Sequence, residues 1–419
     1  MINKPRGTED ILPEEAGIWQ YIESIARKTA GLYGYREIRT PTFESTELFQ
    51  RGVGDTTDVV QKEMYTFLDK GKRSVTLRPE GTASLVRSYI ENSLYANPQP
   101  TKLFYIIPCF RYEKPQSGRL REFHQFGIEC FGAASPECDA EVIALAHTFL
   151  KNAGISNFEL SINSIGCPEC RKEYNKKLKE YFYQYKDELC SSCLERLEKN
   201  PMRIIDCKSE VCKSIAKDAP RIIDYLCEAC KTHFEETKKG LENLGIEYKI
   251  DSGIVRGLDY YTKTVFEFTS NALGAQSTVC GGGRYSGLVE ELGGKPAEGI
   301  GFAVGLERLI LILKSEKDLS FAKAQPDLYI APLGDTASKK VQKLVYDLRL
   351  LGIGAETDIL KRSVKAQMKY ADKIGAGFSA VIGDDEIEKN CAAFKNMKTG
   401  ETKECVLEAE KIAKILSKA

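Results

Sequence analysis

Apolar residues recur at helical spacing early in the chain and at strand spacing soon after. EEAGIWQYIESIARKTAGLYGY puts Ile18, Ile22 and Ile25 on one stripe and predicts a helix that Gly31 ends. REIRTPTFE predicts a strand broken by Pro41, which suits a sheet edge or a strand end. SVTLRPEGTASLVRSYI reads as strand, turn and helix. KLFYIIPCFRYE and REFHQFGIECFG read as the arms of a long antiparallel hairpin joined by the polar KPQSGRL. Between about Cys167 and Gly245 the pattern is helical, rich in Lys, Glu, Tyr and paired cysteines, and predicts an inserted helical module. Strand character returns at YKIDSGIVRGLDYYTKTVFEFTS and GIGFAVG, ahead of a very apolar helix, LERLILILK.

A polar stretch, KSEKDLSFAKAQP, precedes a different rhythm. DLYIAPLG, IGAETD, FSAVIGD and CAAFKNM predict strands, with helices over 337–351 and 364–374 and another at the C-terminal end. That alternation predicts a separate α/β domain of about 95 residues, a common domain size. The expected organisation is an α+β domain over 1–325, interrupted at 166–246 by the cysteine-rich insertion, and a second domain over 326–419.

Composition narrows the class. With 42% hydrophobic and 29% charged residues, the chain has the balance of a soluble folded protein. No apolar run approaches the roughly 20 residues that span a bilayer, and MINKPRGTED lacks the apolar core of a signal peptide, so no membrane contact and a cytoplasmic location are expected. Lys+Arg and Asp+Glu both number 60, so a nucleic-acid partner would have to be met by local basic patches. Fourteen cysteines in such a chain suggest reduced thiols or metal ligands before disulfides.

The stretch CFRYEKPQSGRLREFHQFGIEC then stands out, because it drives four cations and three carboxylates onto the end of an apolar strand. Strand alternation puts Phe123, Gln125, Gly127 and Glu129 on one face, and Cys109, Arg111 and Glu113 likewise on the neighbouring strand. Phe104, Ile106, Phe126 and Ile128 fall on the opposite face, which predicts a core on one side and a ligand floor on the other. Glu80 lies just ahead of a helix start that Thr82 could cap. Arg256 precedes a strand, with Tyr260 and Tyr261 close behind. Arg308 lies in the first turn of an almost wholly apolar helix, where a buried charge needs a carboxylate partner or an anion. No G-x-x-x-x-G-K-[ST] or G-x-G-x-x-G is present, and His124, His147 and His233 cannot form H-E-x-x-H.

Taken together, these segments resemble those of the histidyl-tRNA synthetases, a family of class II aminoacyl-tRNA synthetases. YREIRTPTFE is similar to the class's first motif, which builds a dimer interface. FRYEKPQSGRLREFHQFGIE is similar to its second and GFAVGLERL to its third, while TLRPEGT and RGLDYY resemble the histidine-specific signatures. The resemblance spans nearly the whole chain and implies an antiparallel-sheet catalytic domain and a C-terminal anticodon-binding domain. It also implies an ATP-dependent ligase acting on L-histidine and tRNA(His), working as a homodimer with Mg²⁺ accompanying ATP.

The resemblance further implies roles for residues. Arg111 and Arg256 would serve the α-phosphate as the catalytic pair, and would also border the histidine. Glu113, Phe123 and Arg308 would complete the ATP site. Glu80, Gly81, Thr82 and Gln125 would surround the substrate's ammonium, with Glu129 and Tyr260 or Tyr261 at the imidazole. A pocket that hydrogen-bonds a polar side chain rejects analogues lacking it by ~10⁴ or more, so no editing domain is expected. Lys114 and Gln116 would face the tRNA acceptor end, Lys114 standing where arginine is usual. Ser286 replaces a usual acidic residue.

Eight cysteines lie in the insertion, at 167, 170, 190, 193, 207, 212, 227 and 230. Three pairs have C-x-x-C spacing, and the gap from Cys170 to Cys190 fits a four-thiolate zinc knuckle. Two structural zincs and a set of reduced core thiols are both compatible with the pattern. Lys361, Lys365, Lys369 and Lys373 form a basic stripe that is a solvated face or, by the resemblance, a phosphate contact. Two rival readings fit less well, since Arg256 and residues 326–419 are both present and a non-catalytic protein would leave the arginines idle. One is the regulatory paralogue that accompanies ATP phosphoribosyltransferase, which lacks the Arg256 signature and the last domain. The other is a zinc-dependent RNA-binding protein without catalysis.

Overall fold

A computed structural model describes residues 2–54, 57–270, 272, 278–316, 319 and 325–416. The chain forms two compact units, residues 1–321 and 322–419. Most of the polar stretch that separates the two rhythms lies outside the described residues.

The first unit is α+β and is organised on an eight-stranded sheet. Its strands run in the order Arg36–Glu37, Thr101–Phe110, Glu122–Phe131, Gly299–Gly305, Thr278–Arg284, Thr262–Thr269, Glu159–Ser164 and Lys249–Ile250. All neighbours are antiparallel except the outermost pair at each edge. The long hairpin is formed as its alternation predicts, with Phe104 opposite Ile128 and Ile106 opposite Phe126. One face is sealed by aromatic packing: Phe126 lies 4.7 Å from Phe149 of the Pro136–Ala153 helix and 5.9 Å from Phe302. The other face is the floor of a pair of cavities.

Several local expectations shift. The first helix runs Pro13–Leu32, straight through Gly31; Gly34, at φ +80°, supplies the left-handed turn that redirects the chain. Arg111 and Glu113 lie beyond the end of the Thr101–Phe110 strand, although the Arg111 N–H still donates to the Arg121 carbonyl at 2.8 Å. The segment around Pro41 is indeed broken, with Phe43–Ser45 joining Ser74–Leu77 and Tyr65–Leu68 in a separate three-stranded sheet. The insertion is helical and strand-free from Pro168 to Asn243 among the described residues.

The second unit holds a five-stranded sheet in the order Ala355–Thr357, Leu328–Pro332, Phe378–Ile382, Cys391–Asn396, Thr402–Val406. The first three strands are parallel, with helices Asp335–Leu350 and Val364–Lys373 between them. The final edge strand, Thr402–Val406, escapes the sequence pattern because TKECV is short and half charged, as exposed edges often are. Lys365, Lys369 and Lys373 are exposed, while Ala371 is buried in this unit's core.

Candidate active site

Two adjoining cavities lie over the solvent-side face of the large sheet, and they share a wall. The first, of about 310 Å³, is lined by Glu80, Thr82, Gln125, Glu129, Tyr260 and Tyr261. The second, of about 180 Å³, is lined by Glu113, Phe123, Thr278, Glu307 and Arg308. Arg111, Arg119, Gln125 and Arg256 border both. Sequence positions 145 residues apart thus meet at one junction.

Glycines make that meeting possible. A Cβ on Gly281 would lie 2.4 Å from a guanidinium nitrogen of Arg256, and one on Gly301 would strike the Glu129 carboxylate at 1.9 Å. Gly127 and Gly81 make room for the ring of Tyr105, whose atoms would lie 2.3 and 2.5 Å from the added carbons. The run Gly281–Gly283 is therefore a flat floor beneath side chains. Gly81 supports the cavity from behind and does not line it.

In the first cavity the polar groups hold one another in fixed orientations. Glu80 accepts the backbone N–H groups of Thr82 and Ala83, both at 2.8 Å, and so caps the Thr82–Glu91 helix itself. Thr82, expected to be the cap, is the first helical residue, and its hydroxyl donates to Glu129 at 2.7 Å. Tyr285 donates to the other Glu129 oxygen. Burial pushes the Glu129 carboxyl up to about 8, although these two donors oppose the shift. Burial likewise raises Glu80 above the usual carboxylate range.

The arginines are held without being neutralised on all sides. Arg111 donates from Nε to the Pro79 carbonyl at 2.9 Å and lies 5.2 Å from the Phe123 ring centre. Arg256 pairs with Glu267 and lies 5.7 Å from the Tyr261 ring, while its buried Nε has no hydrogen-bond partner among the described residues. Burial alone would lower the Arg256 pKa, but the Glu267 carboxylate holds it raised. In the second cavity Arg308 donates to the Thr278 carbonyl at 2.7 Å and to Gly118 at 3.3 Å, and Glu113 pairs with Arg119. Burial raises the Glu113 pKa, with Arg119 and Arg111 opposing it.

Other expectations fall elsewhere. Lys114 and Gln116 are exposed and line neither cavity; Gln116 borders a separate hollow of about 720 Å³ with Trp19, His124 and Ile310. Ser286 donates to Glu298 at 2.7 Å, so an acidic group is present at that point from another residue. The thiols do not pair as the Cys170–Cys190 gap suggests. Cys167 and Cys170 meet Cys227 and Cys230, and Cys190 and Cys193 meet Cys207 and Cys212. Sequence spacing misled because helix Pro168–Tyr183 carries the chain away between the first two pairs. Tyr285, Arg119 and Arg203 also line the first cavity; of these, Arg119 lies within FRYEKPQSGRLREFHQFGIE and was the one with a sequence signal.

This geometry can be set beside known proteins. Residues 7–309 match the family model described as histidyl-tRNA synthetase. The chain belongs to the histidyl-tRNA synthetase family. Residues 327–418 match the anticodon binding domain model. A histidine–tRNA ligase of Acetivibrio thermocellus is 59% identical over 404 residues, covering 96% of this chain and 97% of that protein. One from Clostridioides difficile is 57% identical, covering 95% of each. Among solved structures, apo histidyl-tRNA synthetase of S. aureus superposes with a TM-score of 0.84 at 44% identity, covering 100% of this chain and 99% of that one. The fold class of the histidyl-tRNA synthetase family, an antiparallel-sheet catalytic unit with an anticodon-binding unit, is the one described above.

Proposed function

We propose that the two cavities are the two halves of one active site, in which this histidine–tRNA ligase joins histidine to tRNA through a histidyl-adenylate. The histidine carboxylate attacks the α-phosphorus of ATP, the bond to the bridging oxygen breaks, and pyrophosphate leaves. The adenylate's acyl group then passes to the 3′ end of tRNA(His), releasing AMP. Bringing two anions together requires cations that face both, and the observation that carries the reading is that Arg111 and Arg256 border both cavities. Glu129, Thr82, Tyr260 and Tyr261 orient the imidazole. Glu80 and Gln125 meet the ammonium, and Phe123, Glu113 and Arg308 receive the nucleotide.

Mg²⁺ needs few protein ligands when nucleotide phosphates supply oxygens. The carboxylates of the second cavity are already engaged, Glu113 by Arg119 and Glu307 by the His124 backbone N–H at 2.9 and 3.0 Å, so Mg²⁺ would be carried by the nucleotide's phosphates, whose charge it would offset. Structural zinc in the two thiol clusters completes the proposed cofactor set. No helix among the described residues is long and apolar enough to cross a membrane, and a cytoplasmic site of action is proposed. Phe43 and Phe67, about half exposed on one face of the three-stranded sheet, supply an apolar surface for the proposed homodimer.

The test is pyrophosphate exchange into ATP. Exchange that depends on histidine alone is expected; exchange driven by another amino acid, or by none, would overturn the assignment.

A further inference from the structure

Each thiol cluster is a cage: in both, the four sulfurs lie within 4.8 Å of one another. Separations of 3.6 Å (Cys167–Cys170), 4.0 Å (Cys167–Cys227) and 3.8 Å (Cys190–Cys207) recur. Four thiolates at ~2.3 Å from one tetrahedral cation hold their sulfurs about 3.8 Å apart, whereas a disulfide would bring two to about 2.05 Å. Cys167, Cys190 and Cys227 each immediately precede a helix, at 168–183, 191–199 and 228–243. The positive end of a helix dipole favours thiolate there. Backbone N–H groups also point at sulfur: Cys227 to Cys170 at 3.1 Å, Cys190 to Cys212 at 3.3 Å and Ser209 to Cys207 at 3.5 Å. All these features stabilise an anionic thiolate set and suit zinc.

The cages also reach the catalytic loop. Arg171, the neighbour of Cys170, donates to the Tyr261 carbonyl at 3.1 Å. Arg203, between Cys193 and Cys207, donates to the Arg256 carbonyl at 2.9 Å and to that of Gly257, and lies 3.5 Å from Asp259. Each cage therefore holds one end of the 256–261 segment. That segment needs holding, because Arg256 sits at φ +57°, a left-handed conformation costly for a residue with a side chain.

We infer that the two cages are zinc sites whose job is to fix the Arg256–Tyr261 loop from outside the sheet, so that Arg171 and Arg203 act as positioning residues for activation. The kinetic half of this inference rests on the activity proposed above; the metal half does not.

Elemental analysis of the purified protein is expected to give two zinc per chain, and fewer than two would overturn the sites whatever the activity. Arg203→Ala leaves all eight thiols in place. It is expected to retain two zinc and lower the turnover number of histidine-dependent exchange ~10-fold or more, since small displacements of a catalytic group cost that much, with less effect on KM. Wild-type turnover in this variant would overturn the coupling. Loss of its zinc would do so too, since the guanidinium would then serve the cage and not the loop. If Arg203→Ala is insoluble, Arg171→Ala tests the other end with the same outcomes. A wild-type protein with two zinc but no histidine-dependent exchange would sink the activity reading alone.

Discussion

Thr82 and Glu129, 47 residues apart, meet on the cavity floor, where the threonine hydroxyl donates to the carboxylate at 2.7 Å. With Tyr285 on the second oxygen, both donors are neutral, and burial holds the Glu129 carboxyl up to about 8 from an ordinary 4.5. Burial thus favours the neutral carboxyl, and a cationic substrate would draw it into its charged form.

A pH dependence follows. A carboxyl whose folded pKa exceeds its unfolded one adds stability in full below the unfolded value, and that contribution is lost as pH rises through the folded value. Between pH 5 and 8 the ligand-free protein should lose stability through Glu129 by at most about 1.4 kcal/mol per unit. Thermal melts of Glu129→Gln across this range should show a flatter profile and weaker histidine binding. Parallel profiles for the two proteins would count against the assignment.

Gly281→Ala places a methyl where the Arg256 guanidinium now lies. The fold should survive, because Gly281 is not among the glycines with a left-handed backbone. Exchange activity should fall by ~10² as Arg256 is displaced, with little change in melting temperature. Measuring both separates a displaced arginine from a broken strand.

Arg284 and Asp139, both fully buried, form an ion pair extended by His233 at 2.8 Å and Glu298 at 3.1 Å. Burial by itself would raise the Asp139 pKa, but His233 and Arg284 hold it lowered. Arg284→Leu leaves the buried aspartate with His233 alone and should cost about 3–5 kcal/mol in denaturant unfolding. The double variant Arg284→Leu/Asp139→Leu should recover part of that loss; no recovery would mean the pair is not the source.

Lys365 and Lys369 are exposed on the Val364–Lys373 helix of the second unit. The double variant Lys365→Glu/Lys369→Glu should keep pyrophosphate exchange at the wild-type rate while tRNA charging falls several-fold, more steeply at low salt. Unchanged charging would return the stripe to an ordinary solvated face.

Much of this arrangement is legible from sequence because alternation in a strand is a strong constraint. It places Gln125 and Glu129 on one face of the sheet and Phe126 and Ile128 on the other, as the structure shows. What the pattern hides is who neighbours whom across the fold. Tyr285 on Glu129 and Arg203 on the Arg256 carbonyl are contacts over distance, and no local spacing encodes them. The thiol pairing failed for the same reason, since a tetrahedral cage is assembled by tertiary packing. The Gly31 helix end failed because a single glycine inside a helix costs only about 1 kcal/mol, less than packing supplies.

The guanidinium-to-carbonyl links from Arg171 and Arg203 have a consequence for engineering. A module spliced in from another synthetase would have to bring those same anchoring arginines, or the transplanted enzyme would keep its pocket and lose its grip on the strained loop that carries Arg256. Conversely, changes confined to the insertion could retune turnover while every substrate-facing side chain stays untouched.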